Sequence, residues 1–247
     1  MSGTEIHPFE RMIVTISRLV NDGEVAATGT LSPIPAAGIL LAKNTHAANL
    51  TCMIYGDPKL RITDGLHEFF GLAHRGLLDL FFLSGIQIDR RGNLNLSVIG
   101  DYRKPKLRLP GGAGSNMLSM MAKRTILFTL THDTRLFVPQ VDFINATAKD
   151  ETIPWRRGVF SHIVTPMAQL KYDADAGVIV LDATFPGVPV EVVSQNTGFD
   201  LGTEGRDIPE VDPITDEELS ALRGAVLTEL RQIYPLFCDM IWGAKSS

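Results

Sequence analysis

The chain has 247 residues, 45% of them hydrophobic and 21% charged, with a formal net charge of −5 at pH 7. That is the balance of an ordinary globular protein, and an acidic one disfavours a nucleic-acid partner, which calls for a basic face. No apolar run approaches the roughly 18 residues of a membrane helix, so no membrane association is expected.

The opening segment, MSGTEIHPFERM, is polar and acidic, unlike a secretory signal. The two cysteines, Cys52 and Cys238, are far apart and lie in apolar surroundings. They form no metal-type pair and no disulfide framework, so a reducing cytoplasm is expected.

In chain order, Phe9, Met12, Ile13, Ile16, Leu19 and Val20 fall at helical spacing over 8–20, and Asn21-Asp22-Gly23 stops them. A short strand is expected over 24–28. Ser32-Pro33 then offers an N-cap with proline at the first helical position, and a small, apolar helix over 33–43 follows. Residues 50–55 (LTCMIY) read as a buried strand ended by Gly56-Asp57-Pro58, 64–74 as a helix, and 77–83 (LLDLFFL) as another strand. Asp89-Arg90-Arg91-Gly92 turns the chain, and 93–99 alternates like a strand. Pro110-Gly111-Gly112-Ala113-Gly114 precedes a helix over 117–123 and a strand over 125–130. This alternation of strand and helix predicts an α/β fold with an open, mostly parallel sheet covered by helices.

The later half is less regular. Strands over 160–165 and 177–184 flank a turn at 172–177 and suggest an antiparallel hairpin. A short helix is expected over 190–195, and the acidic stretch 201–213 is expected to cross the surface. Thr215-Asp216-Glu217-Glu218 reads as a capping box opening a last helix over 216–232. Without repeat or linker, 1–247 is expected to be one domain.

Familiar signatures fail here. His67-Glu68 begins like a zinc-protease helix but lacks the second histidine, and His67 with His74 is better explained as structure, so no metal is expected. There is no G-x-S-x-G elbow. The loop 112–117 departs from the dinucleotide fingerprint at Met117 and lacks a P-loop lysine. Three glycines in four residues nevertheless carry an entropic cost. They are read either as a tight turn for helix packing or as a nest of N–H donors for a thioester oxyanion or a phosphate. The run Arg103, Lys104, Lys106, Arg108 is read as a solvated face, with a phosphate-rich ligand as the alternative. Asn95, a poor strand former on an alternating segment, is a candidate for lining a polar pocket or interface.

GIQIDRRGNLNLSVIGDY, PKLRLPGGAGSN and AKRTILFTLTHDTRLFVPQVDFI together resemble the β subunits of family I CoA-transferases of the glutaconate CoA-transferase type. The likeness extends through VPVEV, NTGFDL and PITDEEL near the end, and through NDGEV and LAKNTHAANL near the start. It implies the open α/β fold of that family and an α-type partner in a heterotetramer or larger assembly. Coenzyme A would enter as part of the substrate, with no tightly bound cofactor. It further implies that Gly111, Gly112, Ala113, Gly114 and Asn116, with Asn95, serve thioester binding, and that Gly112 and Gly114 supply the oxyanion donors.

Members of that family use a β-subunit glutamate as nucleophile, through a mixed anhydride and a glutamyl-CoA thioester. Ungapped counting from Asn49-Leu50 puts Tyr55 in its place, with Gly56 and Asp57 after it. Tyr55 and Asp57 are therefore the catalytic candidates at that position, although a phenol cannot form the glutamyl intermediate and Asp57 is two residues late. A related branch, two-subunit enzymes of steroid-ring breakdown, also lacks the glutamate and hydrolyses a C–C bond in a cyclic CoA thioester. Its acid/base glutamate lies on the α-type subunit. Two expectations follow: an acyl-CoA enzyme subunit of transferase or C–C hydrolase type, or a non-catalytic scaffold subunit that kept the fold.

Overall fold

The computed structural model describes residues 5–60, 63–150 and 152–243. The first elements are α1 (Pro8–Arg18), β1 (Val25–Thr28), α2 (Pro33–Asn44), β2 (Thr51–Ile54), α3 (Leu66–His74) and β3 (Leu80–Leu83). Four two-residue strands follow: β4 (Gln87–Ile88), β5 (Leu94–Asn95), β6 (Val98–Ile99) and β7 (Leu107–Arg108). Then come α4 (Ser115–Met121), β8 (Arg124–Phe128), β9 (Val159–Val164), β10 (Ala168–Asp173), β11 (Val178–Thr184) and α5 (Val190–Gln195). The chain closes with α6 (Asp216–Ala221), a π-helical turn (Leu222–Val226), α7 (Leu227–Ile233) and α8 (Pro235–Trp242). These residues fall into two compact units, one holding the chain up to Leu66 and from Asp212 on, the other His67–Val211.

In the first unit β1 and β2 run parallel, Val25 opposite Thr51 and Thr28 opposite Ile54. Helix α1 buries Met12, Ile13 and Ile16. Helix α2 is apolar on every side and buries nine consecutive residues, Ile34 through Ala42. The two helices touch at Gly38, where a Cβ would stand 2.4 Å from Ile16 Cγ2, so only glycine permits that approach. The expected capping box is formed: Thr215 accepts from the Glu218 N–H, and Glu218 bonds back to the Thr215 N–H. Glu218 also accepts from the Arg18 guanidinium of α1 at 2.7 Å.

In the second unit the strand order is β11-β10-β9-β8-β3. β3, β8 and β9 are parallel neighbours, and β9-β10-β11 continues as an antiparallel meander. The mostly parallel sheet with helices is thus what the alternating pattern predicts. Three details differ. The hairpin partner of β11 is β10, whose alternation Ala168-Gln-Leu-Lys-Tyr-Asp173 went unread, so 160–165 and 177–184 are not neighbours. The strand expected over 93–99 is two strands, β5 and β6, interrupted at Leu96-Ser97. The last helix, expected over 216–232, runs over 216–233 but carries a π turn and is followed by α8. Among the described residues, no helix is long and apolar enough to cross a membrane.

Candidate functional site

The glycine loop is built outward from one hairpin. β6 and β7 pair with Val98 opposite Arg108 and Ile99 opposite Leu107, and Leu109 N–H donates to Ser97 O at 2.8 Å. The chain therefore enters Pro110 on a fixed heading. Gly111 has φ +82° and Ala113 φ +45°, the left-handed region that a residue with a Cβ seldom adopts. Ser115 closes the loop: its N–H and its hydroxyl both reach Gly112 O, at 2.7 and 2.5 Å, and α4 begins there. The N–H groups of Gly111, Gly112, Ala113 and Gly114 meet no acceptor among the described residues. These four successive donors, in a partly exposed loop, are available to a ligand or to water.

The two glycines expected as donors differ in their surroundings. A Cβ at Gly112 would meet Leu96 Cδ1 and Ser115 Oγ at 3.4 Å and Asn116 Oδ1 at 3.6 Å, all ordinary contacts. A Cβ at Gly114 would stand 2.2 Å from Phe70 Cζ. Gly114 is thus required by packing against α3, whereas Gly112 is not. Asn116 lies in the first turn of α4, its amide over Gly112.

Asn95 is fully buried and is a structural hub. Its Nδ2 donates to Gln87 Oε1 at 2.7 Å and Val98 O at 2.6 Å, while Oδ1 accepts from Ser97 N–H at 2.9 Å and Val98 N–H at 3.3 Å. It has nothing left to offer a ligand; it folds the chain between β5 and β6. Sequence reasoning missed its helpers in 142–145. Asp142 Oδ2 accepts from Gly100 N–H and Gln87 Nε2, both at 2.9 Å. Asn145 Oδ1 accepts from Leu96 N–H at 2.7 Å and Ser97 Oγ at 2.9 Å. Only their polarity inside VPQVDFINA hinted at this role.

In the first unit, Tyr55 follows the last residue of β2 and lines a cavity of about 350 Å³ with Thr30, Gly56, Asp57 and Pro58. Asp57 is buried, and its Oδ1 accepts from Lys59 N–H at 2.8 Å, tying the turn that Gly56 and Pro58 frame. Glu229, on α7, titrates above the ordinary carboxylate range because it is partly desolvated and the Asp57 charge opposes its own. Burial pushes the Cys52 thiol up to about 11, so it is no nucleophile. Glu68 stands exposed on α3, as do His67 and His74. Among the described residues, no group of three or more His, Cys, Asp or Glu is placed to hold a metal ion.

Two further features lie in the second unit. A cavity of about 670 Å³ is bordered by the Asp89–Asn93 turn, Pro139, Gln140, Ile144 and Val178. His132 is buried between Thr165 Oγ1 at 2.9 Å and Thr197 Oγ1 at 3.0 Å, and desolvation lowers its pKa to about 4. It is a neutral structural imidazole.

The sequence matches the family described as coenzyme A transferase over residues 58–196. It is 30% identical to a 3-oxoadipate CoA-transferase subunit of Pseudomonas knackmussii, over 87% of this chain and 91% of that one. It is 27% identical to the cholesterol ring-cleaving hydrolase IpdB subunit of Rhodococcus jostii, over 81% and 84%. Among solved structures, glutaconate coenzyme A-transferase from Acidaminococcus fermentans superposes with a TM-score of 0.76 at 24% identity, over 93% of this chain and 95% of that one.

Proposed function

As the chain belongs to the coenzyme A transferase family, we propose that it is the β-type subunit of a two-subunit enzyme acting on an acyl-CoA thioester, with the reaction being hydrolytic C–C cleavage of a cyclic substrate. The observation that carries the thioester reading is the set of four unpaired N–H groups at Gly111–Gly114. Donors held in place before reaction stabilise a developing oxyanion without the cost of reorganising around it.

Hydrolysis is favoured over transfer by what stands at the end of β2. CoA transfer requires a carboxylate of this chain to attack the thioester, and Tyr55 offers a phenol. Asp57 is buried and committed to its turn, and Glu229 is crowded by it. With no carboxylate nucleophile at that position, water attacks a ring ketone instead, activated by a carboxylate of an α-type partner acting as general base. The ring C–C bond breaks, its electron pair becomes the enolate of the thioester, and the loop N–H groups hold the enolate oxygen until carbon is protonated. The relatives, themselves named as enzyme subunits, support a partner chain, and the ring-cleaving hydrolase among them supports this chemistry.

Trapping tests the assignment. The complex is incubated with acyl-CoA, treated with borohydride, and this chain is analysed by mass spectrometry. The expectation is an unmodified chain. A reduced glutamyl or aspartyl residue would show that a carboxylate here carries CoA, and the hydrolytic reading would fall.

A further inference from the structure

The arm leading into the glycine loop has a chemistry that the thioester reading does not use. Arg103, Lys104, Lys106 and Arg108 place four cations within six residues of a chain whose net charge is −5. Asp101 is the nearest carboxylate in sequence, and its Oδ1 is turned to backbone, accepting from the N–H groups of Arg103 at 2.7 Å and Lys104 at 3.0 Å. The side chains of Arg103, Lys104 and Lys106 are exposed, and no hydrogen bond or ion pair engages them among the described residues.

The backbone of this arm is tied down. Lys106 N–H donates to Ile99 O at 2.8 Å, which continues the β6–β7 ladder, and the Lys106 stem lies against Gly100. Tyr102 stacks on Phe143 with ring centres 4.9 Å apart and an interplanar angle of 23°. The Arg108 guanidinium sits 4.8 Å from the centre of the same Tyr102 ring. Phe143 is anchored by its neighbour Asp142, which holds Gly100 N–H. Lys106 and Arg108, two apart along an extended strand, project to one side of it. Unpaired cations beside an ordered aromatic pair are available to an anion with several phosphates.

Arg108 is four residues from Gly112, so their backbones are at most about 14 Å apart. A coenzyme A ester has this polarity: a thioester at one end, an extended neutral pantetheine arm, and three phosphates with an adenosine at the other. We propose that the β6–β7 arm receives the phosphate-bearing nucleotide end of the coenzyme A substrate, with Lys104 and Lys106 contacting phosphate and Arg103 completing the cationic face. The proposal rests on the assignment of the glycine loop as the thioester site.

The experiment uses calorimetry on the assembled complex with three probes: coenzyme A, adenosine 3′,5′-bisphosphate and pantetheine. The Lys104→Glu/Lys106→Glu variant is compared with wild type, and melting temperature confirms that the exposed substitutions leave the fold intact. The proposal expects affinity for coenzyme A and for the bisphosphate to fall about tenfold or more, the scale of a lost charge-assisted contact, with pantetheine unaffected. In turnover, KM for the acyl-CoA should rise by the same factor while kcat stays within twofold. Equal affinity for the bisphosphate in both proteins would overturn the proposal, as would wild type failing to bind it. A variant that no longer assembles with its partner would also overturn it, by making the arm a protein interface. Arm-dependent binding of the bisphosphate by a complex that turns over no acyl-CoA would sustain the arm and sink the hydrolase assignment instead.

Discussion

At the scale of single residues, the two loop glycines separate the proposed oxyanion role from packing. Gly112→Ala adds a methyl group in ordinary contact with Leu96, Ser115 and Asn116, beside the loop N–H donors. It should lower turnover by about 10²–10³, the scale of a lost oxyanion interaction, and leave the melting temperature unchanged. Gly114→Ala drives a Cβ into the Phe70 ring and should cost about 1–3 kcal/mol of stability, with Phe70→Leu in the same chain recovering much of it. Turnover per folded molecule, compared with thermal melting, distinguishes the two. His132 supplies a pH signature. Its folded pKa of about 4 lies below the ordinary histidine value, so between roughly pH 6.5 and 4 the unfolded chain binds the extra proton. Stability is complete above that window and declines as pH falls through it, by about 2 kcal/mol at pH 5. Urea unfolding at pH 7.5 and 5 should show this loss, and His132→Gln should remove that part of the pH dependence.

At the scale of elements, the C-terminal helix shows how one buried carboxylate sets a register. Glu10 is 1% exposed and accepts from Arg223 Nε and Nη2 at 2.7 Å, Trp242 Nε1 at 2.7 Å and His7 N–H at 2.9 Å. Burial alone would raise its pKa, but these donors together hold it below the ordinary value. Arg223 sits in the π turn, whose extra residue lets Leu222, Val226 and Leu230 all stay buried at a spacing of four. Glu10→Ala removes the shared acceptor of Arg223, Trp242 and the His7 N–H and should cost about 1–3 kcal/mol in a urea melt. No local pattern announces this contact, because Glu10 and Arg223 are 213 residues apart. What was legible follows the same logic. Helices α1 and α2 and strands β1 and β2 declared themselves through periodicity, the Pro33 start and the Thr215 capping box, all of which are local. β10 escaped notice because Ala168, Leu170 and Tyr172 alternate with long polar residues in a half-buried strand that resembles a surface loop. The break between β5 and β6 is imposed by Asn95, whose four hydrogen bonds only the folded chain reveals.

At the scale of the whole molecule, the same contrast holds for the site. The glycine loop was legible because its conformation needs glycine: Gly111 lies at φ +82°, and Gly114 lies against Phe70. Tyr55 directly follows β2, and its place opposite the family's glutamate rests on the resemblance alone. The supports at Gln87, Asp142 and Asn145 were not, since amides and carboxylates in loops and two-residue strands read as solvated until their partners are seen. Unpaired N–H donors at Gly111–Gly114 and a tyrosine, not a carboxylate, directly after β2 together support the proposed enzyme that binds a thioester yet does not pass CoA to an acid. The most direct test gives the assembled complex cyclic 3-oxoacyl-CoA substrates with and without an acceptor carboxylic acid, in water enriched in oxygen-18. The predicted product is ring-opened acyl-CoA carrying one labelled carboxylate oxygen, formed at a rate independent of the acceptor. Acceptor-dependent formation of a new acyl-CoA, with no label entering the ring carbon, would contradict it.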